Sequence, residues 1–174
     1  MVAFGSESGG LERLQSKLWS ILIVSMKQTS QADFDWNGQR MDRDVYKIEK
    51  TDLGFQLTFA GAMTKCEVDK WYAESEQILK GPQASFGVVI DMRTLALLPV
   101  DAQGVMVRGQ AMYRSRGMER SCVILDDAIT KIQFMRLAKK SGIFKYERYI
   151  DASAHKNWLA EARNWVSHAI APAQ

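Results

Sequence analysis

From residue 44 onward, the apolar positions switch repeatedly between a period of two and a period near 3.6, the spacings of strands and helices. Residues 44–49 and 55–59 alternate apolar and polar side chains around a turn at 51–54, which predicts a hairpin. Thr64 and Glu67 have the spacing of a capping box. Val68, Trp71, Tyr72, Ser75, Ile78 and Leu79 then share one helical face until Lys80, Gly81 and Pro82 stop the helix. Residues 86–91 form a short run rich in β-branched residues and ending in Asp91, the pattern of a strand buried on both faces. A second helix is predicted from Pro99 to Arg116, with Gly104 and Gly109 either weakening it or letting another backbone come close. Residues 121–125 read as another buried strand. Asp126 or Asp127 caps a third helix carrying Ile129, Ile132 and Leu137 as far as Gly142, and residues 144–150 form the last strand. A closing helix, capped by Asp151 or Ser153, places Trp158, Leu159, Ala162, Trp165 and Val166 on one stripe.

The resulting order, ββαβαβαβα, predicts an α/β fold with a mixed, mostly parallel sheet opened by an N-terminal hairpin, because strands joined by helices need crossover connections. We place this domain at residues 41–170. Residues 1–40 are expected to form an extension, flexible in part, in which Leu11, Leu14, Leu18, Leu22 and Met26 lie at the spacing of an amphipathic helix over 11–26.

Composition adds bounds to this picture. The chain of 174 residues is 47% apolar and 25% charged, enough to bury a core and far from disordered or disulfide-rich compositions. Cys66 and Cys122 can build neither a disulfide framework nor a paired-cysteine metal site, so both are expected to be buried thiols of a cytoplasmic protein. The longest apolar run, at 18–26, is too short to span a bilayer. The net charge of +3 argues little alone, but Lys131, Arg136, Lys139, Lys140, Lys145 and Arg148 face only Glu147 in their stretch. A solvated helix face with a cationic C-terminus is the simplest reading. Arg108, Arg114, Arg116 and Arg120 around the end of the second helix could meet an anionic partner, an acidic protein surface being favoured. No aromatic stacking platform alternates with them, so no nucleic-acid partner is expected.

A search for chemistry yields little. His155 and His168 are the only histidines, both in the closing helix pattern and 13 positions apart, which gives no metal pair. No glycine-rich phosphate loop follows a strand, and Ser85 lacks a nucleophile elbow. Asp91 and Asp126 both sit at carboxyl ends of predicted parallel strands and could share a metal or a proton. Turn formation and helix capping explain them more simply. We therefore expect no catalytic residue, no metal and no cofactor.

Four segments, GFQLTFAGAMT (54–64), FGVVIDMRTLALLP (86–99), RGMERSCVIL (116–125) and KYERYIDASAHKNWLAEARNWV (145–166), resemble the STAS superfamily, in particular its divergent SpoIIAA-like, anti-sigma factor antagonist-like bacterial group. The resemblance implies a non-catalytic regulatory domain in which the loop and helix after the central strand face a protein partner. In typical members that helix begins with a phosphorylatable Ser or Thr preceded by Asp. Here the helix start reads Leu98, Pro99, Val100, Asp101, and Asp91 matches the strand end, so the usual switch hydroxyl is missing. Thr94 is a nearby hydroxyl in the loop.

The expected partner-binding surface is thus Asp91, Arg93, Thr94, Pro99, Asp101 and Arg108. Lipid-binding CRAL-TRIO domains share a related sheet order. The alternative is accordingly a carrier of a small hydrophobic ligand, with a pocket of Leu95, Leu97, Leu98, Val105, Met106 and Met112, where methionine supplies adaptable apolar walls. A homodimer is left open by the hairpin edge, which needs cover.

Overall fold

The computed structural model describes residues 45–81 and 84–172. The extension expected over 1–40, with its helix over 11–26, lies outside the described residues, as does the start of the domain at 41. Five strands form one sheet in the order β1 (Tyr46–Thr51), β2 (Gly54–Gly61), β3 (Phe86–Leu95), β4 (Met118–Leu125) and β5 (Glu147–Asp151). β1 and β2 are antiparallel and the remaining neighbours are parallel, so the mixed, mostly parallel sheet opened by a hairpin is observed.

Three helices, α1 (Lys65–Ile78), α2 (Val100–Ser115) and α3 (Ala128–Ser141), cover one face of the sheet. α4 (Trp158–His168) covers the other. The first layer buries Phe55, Leu57, Phe59, Val88 and Ile90 beneath Trp71, Met106, Tyr113 and Leu137. The second buries Val89, Cys122, Ile124 and Ile150 beneath Ala162, Trp165 and Val166. Alternation along β3 feeds both layers, as a central strand must. No helix of the described residues is long and apolar enough to cross a membrane.

Local chemistry sets the boundaries. The Thr64 backbone N–H donates to Glu67 at 2.6 Å while the Thr64 hydroxyl oxygen accepts from the Glu67 N–H at 3.4 Å, completing the capping box. The Asp127 carboxylate accepts from the Thr130 N–H at 2.6 Å and starts α3, and Gly142, with φ +81°, ends it in the left-handed conformation. Gly109 lets α2 approach α1: a Cβ there would lie 2.3 Å from the ring carbon Cη2 of Trp71. The close neighbour is a side chain and not the backbone its place in the helix suggested.

The structure departs from the sequence expectations at several places. β3 runs to Leu95, so Asp91 lies inside the strand and Thr94 is a strand residue, not a loop one. The last strand begins at Glu147, after a single 3-10 turn at Phe144–Tyr146. The closing helix starts at Trp158, later than either expected cap. The Asp151 carboxylate is instead engaged by the Ser153 N–H at 2.9 Å and the Ser153 hydroxyl at 2.6 Å, a local turn that competes with helix initiation. His155 therefore precedes the helix. On α3 the buried face carries Thr130, Gln133, Phe134, Leu137 and Ala138, leaving Ile129 and Ile132 exposed. Polar Gln133 is internal because its amide finds both of its partners on the Leu98 backbone, a solution that apolar periodicity cannot signal.

Candidate functional site

The carboxyl ends of the parallel strands form the edge at which open α/β sheets present their ligands. Asp91 pairs across the sheet with Thr58 of β2 and Ile124 of β4, and the register with β2 slips immediately afterwards. The irregularity lies between Asp91 and Thr94, and within it the Arg93 backbone N–H donates to the Asp91 carboxylate at 3.1 Å. The guanidinium of Arg93 adds a fork of bonds to the same carboxylate, Nε–Oδ1 at 3.0 Å and Nη2–Oδ2 at 2.8 Å. These bonds raise the Arg93 pKa above its ordinary value, with Asp126 adding a weaker attraction. The guanidinium also lies 4.3 Å from the centre of the Trp158 ring at the start of α4. Asp91 and Arg93 thus tie the sheet to α4.

Across the sheet edge, the loop after β3 is held by α3. The Gln133 side chain accepts from the Leu98 N–H and donates to the Leu98 carbonyl, both at 2.9 Å. The Gln103 amide also donates to that carbonyl, at 3.1 Å. Leu98 is buried by this grip, and its neighbours are turned outward: Leu97 is 49% exposed and Val100, the first residue of α2, is 85% exposed. Ile129, one turn before Gln133, and Ile132 are 63% and 66% exposed. Asp101, next to Val100 in the chain, and Asp126 and Asp127, just before α3, are exposed as well.

The six residues expected to form one partner surface divide between these regions. Asp91 and Arg93 face α4, Thr94 is exposed on β3, and Pro99 and Asp101 stand at the start of α2. Arg108 lies farther along α2, its guanidinium 5.8 Å from the centre of the Tyr72 ring on α1. The alternation of a strand separates Asp91 and Arg93 from the α2 layer, because Met92 between them points the other way into the core. Asp91 and Asp126 form no metal cluster: among the described residues there is no group of three or more His, Cys, Asp or Glu side chains placed to hold an ion.

The expected ligand pocket also disperses. Leu95, Leu98 and Val105 are buried in the packed core, Leu97 is exposed, and Met112 only flanks the core. Met106 alone of the six lines a cavity of about 30 Å³ between the sheet and α1–α2. That cavity is the size of one or two water molecules, about tenfold below the volume of ligand pockets. Its wall includes Gln110, Ser121 and Glu147.

Glu147 was not anticipated. It is fully buried, and its carboxylate accepts hydrogen bonds from the Ser121 hydroxyl at 3.0 Å and from the Tyr149 hydroxyl. Burial pushes its pKa up to about 7, against the opposing pull of those two donors. In the sequence it stands between Arg148 and Tyr146 in an unremarkable strand pattern, and only the pleat turns it inward.

Comparison with solved structures finds an uncharacterised protein of the DUF3478 family from Shewanella loihica PV-4, described as having a SpoIIAA-like fold. It superposes with a TM-score of 0.50 at 17% identity, covering 70% of this chain and 91% of that one. The described domain has a SpoIIAA-like fold. The resemblance noted in the sequence is thereby shown at the level of architecture. No protein-family model matches the chain, and no curated protein sequence matches it.

Proposed function

We propose that this SpoIIAA-like domain is a non-catalytic regulatory module that binds a protein partner at its carboxyl edge. The observation that carries the reading is the exposure of Leu97 and Val100, on either side of the Leu98 backbone gripped by Gln133, and of Ile129 and Ile132 on the helix that carries Gln133. Large apolar side chains exposed along one edge of an otherwise well-packed domain favour an interaction surface there. The rim residues Asp101, Asp126 and Asp127 favour a partner segment that combines apolar and basic side chains. Asp101 in the first turn of α2 is a permanent negative charge at a helix N-terminus, and Val100 offers no hydroxyl, so the surface is competent without phosphorylation. A small-ligand carrier draws no support from the cavity beside Met106, which is of water size.

The test is to isolate the complex from the native host and measure its affinity with Val100→Asp/Ile132→Asp and with Asp101→Lys. Each variant should weaken binding by about tenfold or more with an unchanged melting temperature, since all three side chains are on the surface. Unchanged affinity in both variants rejects this surface.

A further inference from the structure

We propose that the opposite, amino edge of the sheet is a second docking surface, one that takes an acidic peptide segment of a partner protein. It is built where α2 and α3 end and where β4 and β5 begin. The Arg114 guanidinium lies 3.9 Å from the centre of the Tyr146 ring and donates to the carbonyl of Met118, the first residue of β4. The Lys145 ammonium lies 4.9 Å from the centre of the same ring, and that of Lys139 4.9 Å from the centre of the Phe144 ring. Two rings in one turn thus gather three cations from three different elements. Arg116 and Lys140 are exposed at the ends of the same two helices.

None of these five cations has a carboxylate partner among the described residues. Glu147, the acidic residue closest to them in sequence, is turned into the core, and Glu119 stands 3.8 Å from Arg120. The macrodipoles of α2 and α3 account for Arg114, Lys139 and Lys140 taken singly. They do not account for Lys145, which lies beyond α3, or for the placing of Arg114, Lys139 and Lys145 over aromatic rings. Cations already drawn to a ring have less entropy to lose when an anion arrives, which favours recognition. The same positive field lowers the Tyr146 pKa, through hydrogen bonds with Lys145 and then Arg114.

The geometry favours an acidic peptide over a nucleic acid or a lipid surface. The cations sit over the faces of Phe144 and Tyr146, leaving those rings poorly placed to stack on bases as a single-stranded nucleic acid requires. The exposed apolar group formed by Leu97, Val100, Ile129 and Ile132, suited to entering a lipid surface, is at the other edge of the sheet. The proposal is independent of the partner assigned to that edge.

A fluorescein-labelled ten-residue polyglutamate peptide, titrated into the full chain at low salt and followed by anisotropy, tests it. Lys139→Glu/Lys145→Glu should weaken binding by about tenfold or more, and Lys139→Gln/Lys145→Gln by less. The charge-matched control Lys47→Glu/Lys65→Glu, at exposed positions elsewhere, should leave affinity within about twofold. The neutral pair decides the matter should the reversal unfold the domain. Absence of peptide binding, an equal loss in the control, or tighter binding of oligothymidine or phosphatidylserine vesicles than of the peptide overturns the proposal.

Discussion

Replacing Glu147 with Gln should remove a pH dependence of stability that wild type carries between about pH 4.5 and 7. In the folded domain the carboxyl is fully buried beside Ser121 and Tyr149, and its pKa is pushed from 4.5 up to about 7. The unfolded chain leaves it near 4.5. Below that value both states hold the proton and the side chain contributes its full stability. As pH rises through the window, the unfolded state releases the proton while the folded state retains it, so unfolding is increasingly favoured. The loss is complete once pH passes the folded value, and stability then levels off. The gap between 4.5 and about 7, at about 1.4 kcal/mol per pH unit, amounts to about 3 kcal/mol. The Gln side chain is isosteric, neutral at every pH, and offers a donor and an acceptor as the protonated acid does. Urea denaturation of both proteins, followed by tryptophan fluorescence at intervals from pH 4.5 to 8, gives the difference directly. Other titrating groups are common to the pair and cancel. Wild type should lose about 3 kcal/mol relative to the variant across the window. A flat difference, or one in which wild type gains with rising pH, would show that Glu147 is not held as a buried acid.

Two further predictions concern packing and reactivity. A Cβ at Gly87 would come 1.8 Å from Cγ1 of Val166, so Gly87→Ala should cost about 1–3 kcal/mol in chemical denaturation. Adding Val166→Ala should cost less than the sum of the two single changes, and strict additivity would contradict the contact between β3 and α4. Cys66 is exposed, whereas Cys122 is buried with its thiol pushed up to about 12 by loss of solvent and by Glu147. A thiol reagent at pH 8 should therefore modify Cys66 promptly and Cys122 only on unfolding, and equal rates at the two would refute the burial of β4.

What the sequence determined by itself is the set of elements whose signals are local. Alternation revealed the hairpin, the Thr64 and Glu67 box revealed the start of α1, and the apolar runs at 86–91 and 121–125 revealed parallel strands. The same local signals carried the resemblance to a SpoIIAA-like architecture, which the solved structure from Shewanella loihica shares. Expectations failed where a competing local bond or a distant partner intervened. Asp151 caps no helix because Ser153 engages it first, and α3 turns Gln133 inward because the loop at Leu98 needs both of its amide bonds. One consequence is that Ile129 and Ile132, which mark the helix in the sequence, are exposed and part of the candidate surface.

Tertiary structure alone decided which charged groups meet. Asp91 and Arg93 are two residues apart in sequence, yet their tie to α4 required Trp158 to arrive from the far end of the chain. Glu147 became a buried acid only when β5 joined β4 beside Ser121, and Arg114, Lys139 and Lys145 became one basic cluster only when three elements ended together. Local propensity acts over a few residues and is written along the chain. Electrostatic and desolvation energies depend on distances in space, and those exist only once the sheet has closed between its helices.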